Sequence, residues 1–335
     1  MRFGILGCGG IGGVHAKLIA SMPDRAQIAA VADNSADAAK RLGDQYGVPA
    51  AADVAELCAR PDVDAISICL PNGLHADAAV TALAAGKHVL IEKPIDITLA
   101  AADRIIAAEK ASGLTVGVIC QRRFQPPFAY VHELAAQGRL GRITSGIVAT
   151  TYYRPQSYYD TGGWHGTWAV EGGGALITQG AHAVDLLLWT MGEPVRVSAF
   201  AGAPAHERIE VEDTIAANVV FAGGAVGTIT ATTSAYPGLG VRMQVSGDAG
   251  SVVVDDDELR YARTSEGDQL AASGATGPSS VDDAHAAQYR DFIDAVEQGR
   301  PPLVTTADGR RALALMLAAY QSVRENGQPV DIAST

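Results

Sequence analysis

The feature that most constrains how this chain folds is its first dozen residues. The short apolar run up to Leu6 stops at Gly7, glycine recurs at Gly9 and Gly12, and an Ala/Leu/Ile-rich helical pattern runs from Val14 to Ser21. This is G-x-G-x-x-G in a strand, turn and helix setting. Gly7 permits the tight turn, Gly9 removes a Cβ that would hold a pyrophosphate away, and Gly12 allows close packing of helix on strand; Gly10 and Ile11 fill the intervening positions. The helix N-terminus then presents N–H groups and partial positive charge to phosphates. A second apolar run, Gln27 to Ala32, ends at Asp33, 21 residues beyond Gly12. At that spacing a carboxylate meets the ribose hydroxyls and repels a 2′-phosphate, so NAD is favoured over NADP. A turn or cap before Ser35 is the other use of Asp33, and the two are compatible.

A chain of 335 residues suggests two domains. Apolar content of 48% with 19% charged residues describes a globular protein, and a net charge of −12 without Lys/Arg clusters argues against nucleic acid or an acidic membrane surface. No stretch approaches the roughly 20 apolar residues of a membrane span, and Met1 to Leu6 reads as a core strand and not as a signal peptide, so a cytoplasmic location is expected. Cys8, Cys58, Cys69 and Cys120 are scattered singly in no zinc pattern, and no metal is expected.

Strand and helix patterns alternate to about Gln121, which predicts a parallel sheet with right-handed crossovers and a first domain over 1–121. In such a sheet the ligand lies outside the C-terminal strand ends. The segments leaving those ends are the glycine loop, Asp33, Pro71-Asn72, Glu92-Lys93-Pro94 and Gln121-Arg122-Arg123. Beyond them the texture changes, and 122–335 is expected to form a second domain. Its features are an aromatic, glycine-rich loop from Tyr158 to Trp168, a helix from Ala175 to Met191 opened by Gly172-Gly173-Gly174, and β-branched runs between Val195 and Val254. The runs read as a mostly antiparallel sheet. Helices Ala284 to Gln298 and Thr306 to Arg324 close the chain, after an Ala/Gly/Ser-rich loop expected over Asp268 to Ser280.

The glycine loop, Pro71-Asn72-Gly73-Leu74-His75, Gly86 to Pro94 with its Glu-Lys-Pro, and Gly172-Gly173-Gly174 up to His182 and Asp185 together resemble the Gfo/Idh/MocA oxidoreductases, relatives of glucose-fructose oxidoreductase and inositol dehydrogenase. The resemblance spans both halves. It implies an α/β fold made of a Rossmann domain and an open-faced sheet domain, a nicotinamide cofactor, a sugar or polyol substrate, and a homodimer or homotetramer. Implied cofactor contacts are Gly7, Gly9, Gly10, Ile11, Gly12, Asp33, Leu70, Pro71, Asn72, His75, Glu92, Lys93, Pro94 and Gln121.

Oxidising a secondary alcohol requires its proton to leave and its oxygen to be held. Lys93, leaving a strand at the cofactor edge, suits the second task; His182, whose imidazole takes a proton near neutral pH, suits the first. Thr178, His182 and Asp185 follow helical spacing and are expected on one face. Arg122, Arg123, Tyr152, Arg154, Trp164, His165, Thr178 and Gln179 are the candidate substrate contacts, because aromatic faces and planar donors suit a pyranose ring. The inositol dehydrogenase pattern has an acid four positions before its histidine, where this chain has Thr178, so the substrate need not be inositol. The leading expectation is an NAD-dependent dehydrogenase acting on a ring hydroxyl, with C3 one option. The alternatives are a glycoside hydrolase or lyase working by transient oxidation, and a non-catalytic NAD-binding sensor.

Overall fold

Short apolar runs punctuated by capped helices build the first of two sheets. The computed structural model describes residues 1–161, 163–270 and 280–333, and divides into two compact units, Met1–Ile119 with His285–Arg310, and Cys120–Ala284 with Arg311–Thr335. The expected loop at Asp268 to Ser280 falls largely outside the described residues, since 271–279 are not among them.

In the first unit, β1 (Arg2–Leu6), β2 (Gln27–Ala32), β3 (Ala50–Ala51), β4 (Ala65–Ile68), β5 (His88–Ile91) and β6 (Val116–Val118) form one sheet in the order β3-β2-β1-β4-β5-β6. Every pairing is parallel. The chain reverses its direction of strand addition between β1 and β4, which is where a sheet of this order binds a dinucleotide. The connecting helices are α1 (Gly10–Ala20), α2 (Ala36–Tyr46), α3 (Val54–Ala59), α4 (His75–Ala84) and α5 (Leu99–Ser112). Their starts are capped by side chains where no ligand is needed: Ser35 accepts from Ala38 N–H, Asp53 from Glu56 N–H and Thr98 from Ala101 N–H. Each such cap is worth about 1 kcal/mol.

In the second unit, β7 (Ile143–Thr151), β8 (Pro194–Gly202), β9 (Thr214–Phe221), β10 (Val226–Thr232), β11 (Gly240–Gly247), β12 (Gly250–Asp255), β13 (Glu258–Thr264), β14 (Gly267–Asp268) and β15 (Val330–Asp331) form a second sheet. Its order is β14-β13-β12-β11-β7-β10-β9-β8-β15, antiparallel except where β10 runs parallel to β7. Alternate residues are buried, as in β9, so one face is covered and the other open. The helices are α6 (Pro126–Ala136), α7 (Gln156–Tyr159) and α8 (Ala181–Met191); α8 covers β7, where Leu187 and Met191 lie over Gly146. β13 was not anticipated, because exposed Arg260 and Tyr261 adjoin one another and hide its alternation.

Two helices follow, α9 (Val281–Gln298) and α10 (Thr306–Arg324). Here the expected division at 121/122 is corrected, because 285–310 belongs to the first unit. Tyr289, Phe292 and Ile293 are buried in the core of the parallel sheet with Phe3, Ile5, Val31 and Leu90, and Gln288 donates to Val118 O at 2.8 Å. Each large apolar side chain so buried contributes about 2 kcal/mol. An amphipathic helix carries no sequence mark of which sheet it will cover.

Candidate active site

In the first unit the strand-end loops are built as a phosphate and ribose cradle. Gly7 has φ 98°, and a Cβ on Gly12 would stand 1.9 Å from Gly7 O, so both positions demand glycine. Space beside Gly9 is open: a Cβ there would meet nothing within 4 Å. The N-terminus of α1 has no side-chain cap and no acid in its first turn, leaving its N–H groups for an anion. Gly10 and Ile11 are exposed at this turn. Asp33 accepts from Cys8 N–H at 2.6 Å and from Ser35 N–H at 2.8 Å, so one carboxylate fixes the glycine loop and the turn after β2.

The loops after β4 and β5 are tied together by His75. Its buried ring lies 2.9 Å from Leu70 O and 2.8 Å from Pro94 O, with Pro71 and Asn72 between. Burial lowers its pKa, so the neutral ring holds one carbonyl as donor and faces the other. The Lys93–Pro94 peptide is cis.

Beneath Lys93 lies a buried polar network that the sequence did not disclose. His15 Nε2 is 3.0 Å from Glu92 Oε1, and its Nδ1 is 2.8 Å from both Ser67 Oγ and Tyr289 OH. Burial by itself would raise Glu92, but the hydrogen bond and charge of His15, with the charge of Lys93, bring it down to about 2. His15 moves the opposite way: burial opposes protonation, yet its neighbours Cys69, Tyr289 and Glu92 raise its pKa well above the ordinary value. Each partner thus favours the charged form of the other, and Glu92 Oε2 accepts the Lys93 main-chain N–H at 3.1 Å. Lys93 itself is half-buried.

Gln121, just after β6, is buried, and its side-chain carbonyl oxygen has no hydrogen-bond partner among the described residues. A buried orphan acceptor costs free energy unless a ligand donor meets it, and a carboxamide N–H would. Within the first unit, the open space at Gly9, the uncapped α1 and the Asp33 carboxylate fit a dinucleotide.

In the second unit the histidine helix departs from expectation. Leu176–Gly180 forms a π-helical turn before α8, and the extra residue breaks the count that was to put Thr178 in phase with His182 and Asp185. Thr178 Oγ donates to Gly174 O at 2.8 Å. His182 is half-buried near the start of α8, while Asp185 is buried and pairs with Arg123 at 2.6 and 2.7 Å.

The start of this helical stretch is held by Glu212, a residue that no sequence motif singles out. Its carboxylate accepts Gly174 N–H, Leu176 N–H and Tyr320 OH, each at 2.9 Å. Burial pushes Glu212 up, and these three donors hold the rise to about 7 against an ordinary 4.5. The folded form therefore binds a proton that the unfolded chain has released, and stability present below pH about 4.5 is lost as pH rises through about 7. The shift corresponds to about 3 kcal/mol. Wild type should lose more stability than Glu212→Gln between those pH values in urea titrations; equal losses would remove Glu212 from the account.

Two of the expected substrate contacts hold ion pairs with acids of the same unit. Arg123 pairs with Asp185, with its guanidinium 5.1 Å from the Trp189 ring. Arg122 pairs with Asp257 and donates to Gln125 Oε1 at 3.0 Å and Tyr152 OH at 2.7 Å. Contacts also link Arg154, Gln179, Tyr152, Trp164 and His165 through Tyr158. Arg154 donates to Gln179 Oε1 at 3.2 Å and lies 5.6 Å from the Tyr152 and Tyr158 rings. The His165 ring lies 3.8 Å from that of Trp164 and 4.4 Å from that of Tyr158, tilted to both, and buried Glu171 holds its Nδ1 at 3.1 Å.

Residues 1–120 match the family described as oxidoreductases with an NAD-binding Rossmann fold, and 128–253 match the Gfo/Idh/MocA C-terminal domain. The first unit is thus the cofactor domain of an NAD-dependent dehydrogenase. The chain belongs to the Gfo/Idh/MocA family. It is 31% identical to myo-inositol 2-dehydrogenase of Thermotoga maritima over 337 residues, 97% of each chain. It is also 31% identical to inositol 2-dehydrogenase of Rhizobium meliloti, covering 98% of each. The WlbA dehydrogenase from Bordetella pertussis, solved with NADH and UDP-GlcNAcA, superposes with a TM-score of 0.89 at 30% identity over 100% of this chain and 99% of that one. Among the described residues no helix is long and apolar enough to cross a membrane.

Proposed function

We propose that this protein interconverts a ring secondary alcohol and ketone of a sugar or cyclitol, with NAD as the redox partner. The observation that carries the reading is the position of Lys93: it leaves β5 at the strand-end edge that also holds the glycine loop and Asp33, and its main chain is fixed by Glu92. The identity with the two inositol dehydrogenases along nearly the whole chain supports the substrate class. When bound, the nicotinamide supplies or accepts the hydride. Lys93 holds the substrate oxygen as charge develops on it, and His182 takes or returns the hydroxyl proton. Gln121 offers its carbonyl to the carboxamide, and Asp33 meets the adenosine ribose. Trp164, His165, Gln179 and Arg154 present the faces and donors for a ring. A panel of cyclitols and hexoses with NAD should yield NADH; glycoside cleavage without net NADH would instead indicate transient oxidation followed by elimination.

The protein is further proposed to work in the cytoplasm as a homo-oligomer. Phe200, Val220, Val226 and Ile147, all exposed, stand on the open face of the second sheet and support that assembly.

Cofactor choice tests Asp33. In Asp33→Ser the ratio of kcat/KM for NAD over NADP should fall roughly 10- to 100-fold, the worth of hydrogen bonds to a charged group. A ratio that stays put would reduce Asp33 to a turn-maker.

A further inference from the structure

We infer that the substrate carries an anionic group, a carboxylate or a phosphate, that docks on Arg154; this rests on the reading of the protein as a carbohydrate dehydrogenase. Three arginines stand among the candidate substrate contacts, and their charges are handled differently. Arg122 has Asp257 and Arg123 has Asp185. Arg154 has no carboxylate within 4.0 Å among the described residues. Its hydrogen bonds go to two neutral oxygens, Gln179 Oε1 and Tyr153 O, both at 3.2 Å.

That guanidinium is also half-buried between the Tyr152 and Tyr158 rings. The ring faces offset part of its lost hydration but supply no acceptor in the guanidinium plane, where its five N–H donors point. The nearby acid, Glu171, is turned to His165 Nδ1 and Gly166 N–H.

The position is built and not incidental. Arg154 N–H donates to Thr233 O at 2.8 Å, and Arg154 O faces His206 Nε2 at 2.8 Å. His206 is itself buried and held by Asp213 at 2.9 Å. A fixed, partly dehydrated guanidinium lacking a counter-ion selects a planar or tetrahedral anion. Gln179, its side-chain partner, stands three positions before His182 on one continuous helical stretch, which ties the anion site to the proton-accepting imidazole.

The test offers hexose, hexuronate and hexose 6-phosphate, each in gluco and galacto configuration, to the enzyme with NAD. Turnover is followed by NADH formation, and binding to the NAD-loaded enzyme by calorimetry. One anionic series should exceed the neutral sugar in kcat/KM by roughly 10- to 100-fold, and that ratio should collapse in Arg154→Ala, with Arg154→Lys between. Preference for the hexuronate assigns a carboxylate, and preference for the phosphate assigns a phosphate. NADH binding reports that each variant is folded, and Arg154→Gln, which keeps the bulk, gives the same reading independently. Equal kcat/KM for neutral and anionic sugars, or a preference that survives Arg154→Ala, overturns this inference and leaves the dehydrogenase standing. Arg154-dependent binding of an anionic sugar with no NADH formed supports the inference and removes the dehydrogenase reading. Neither binding nor turnover of any sugar overturns both.

Discussion

Replacing Lys93 by alanine should lower kcat by about 10³-fold while NADH still binds, the loss expected when a positioned donor to a developing oxyanion is removed. The argument runs from the backbone outward. Lys93 is the second residue after β5, a strand hydrogen-bonded on both sides, so its backbone leaves a fixed strand end. Its N–H is held by Glu92, and Glu92 by His15, whose other nitrogen meets Ser67 and Tyr289. Steady-state rates with the best sugar of the panel, alongside NADH titration by fluorescence, separate chemistry from cofactor binding. Full turnover in Lys93→Ala would show that another group holds the oxygen. Methionine at the same position, which keeps the stem and loses the ammonium, should be as slow as alanine.

Asp185→Ala should destabilise the protein by about 3–5 kcal/mol, because it strands the buried Arg123 guanidinium without its carboxylate. Both side chains of the pair are at most 3% exposed, and both guanidinium contacts are short. The pair joins Asp185 of α8 to Arg123 in the turn that precedes α6, with Trp189 against the guanidinium. Urea unfolding reads the loss directly. The double variant Arg123→Met with Asp185→Leu should recover much of it, since an apolar pair of similar volume avoids the desolvation of two charges. Unchanged stability in Asp185→Ala with lost turnover would place Asp185 in the chemistry and not in the framework.

These two residues also show how far the sequence could be read. The place of Lys93 was legible because it is set locally: an apolar run ends, and the next residues stand at the edge where a parallel sheet of this order takes its ligand. The ion pair of Arg123 was not legible, because its partner Asp185 lies 62 residues away. The pair of Arg122 was hidden in the same way, since Asp257 lies 135 residues away. The π turn at Leu176–Gly180 defeated the helical count at Thr178, since one extra residue in a turn leaves no mark in a pattern of buried side chains.

The amino-acid order alone determined the glycine loop, the acid at the end of β2, the parallel-sheet half and the change to a mostly antiparallel half, because turn geometry and hydrophobic period act over a few residues. Only the tertiary structure decided which charges were spent and which stayed available. It buried His15 against Glu92, set Glu212 at the start of the histidine helix, returned 285–310 to the first sheet and gave Arg154 no carboxylate partner among the described residues. The physical reason is that the state of a charged or polar side chain depends on partners and solvent brought to it by distant parts of the chain.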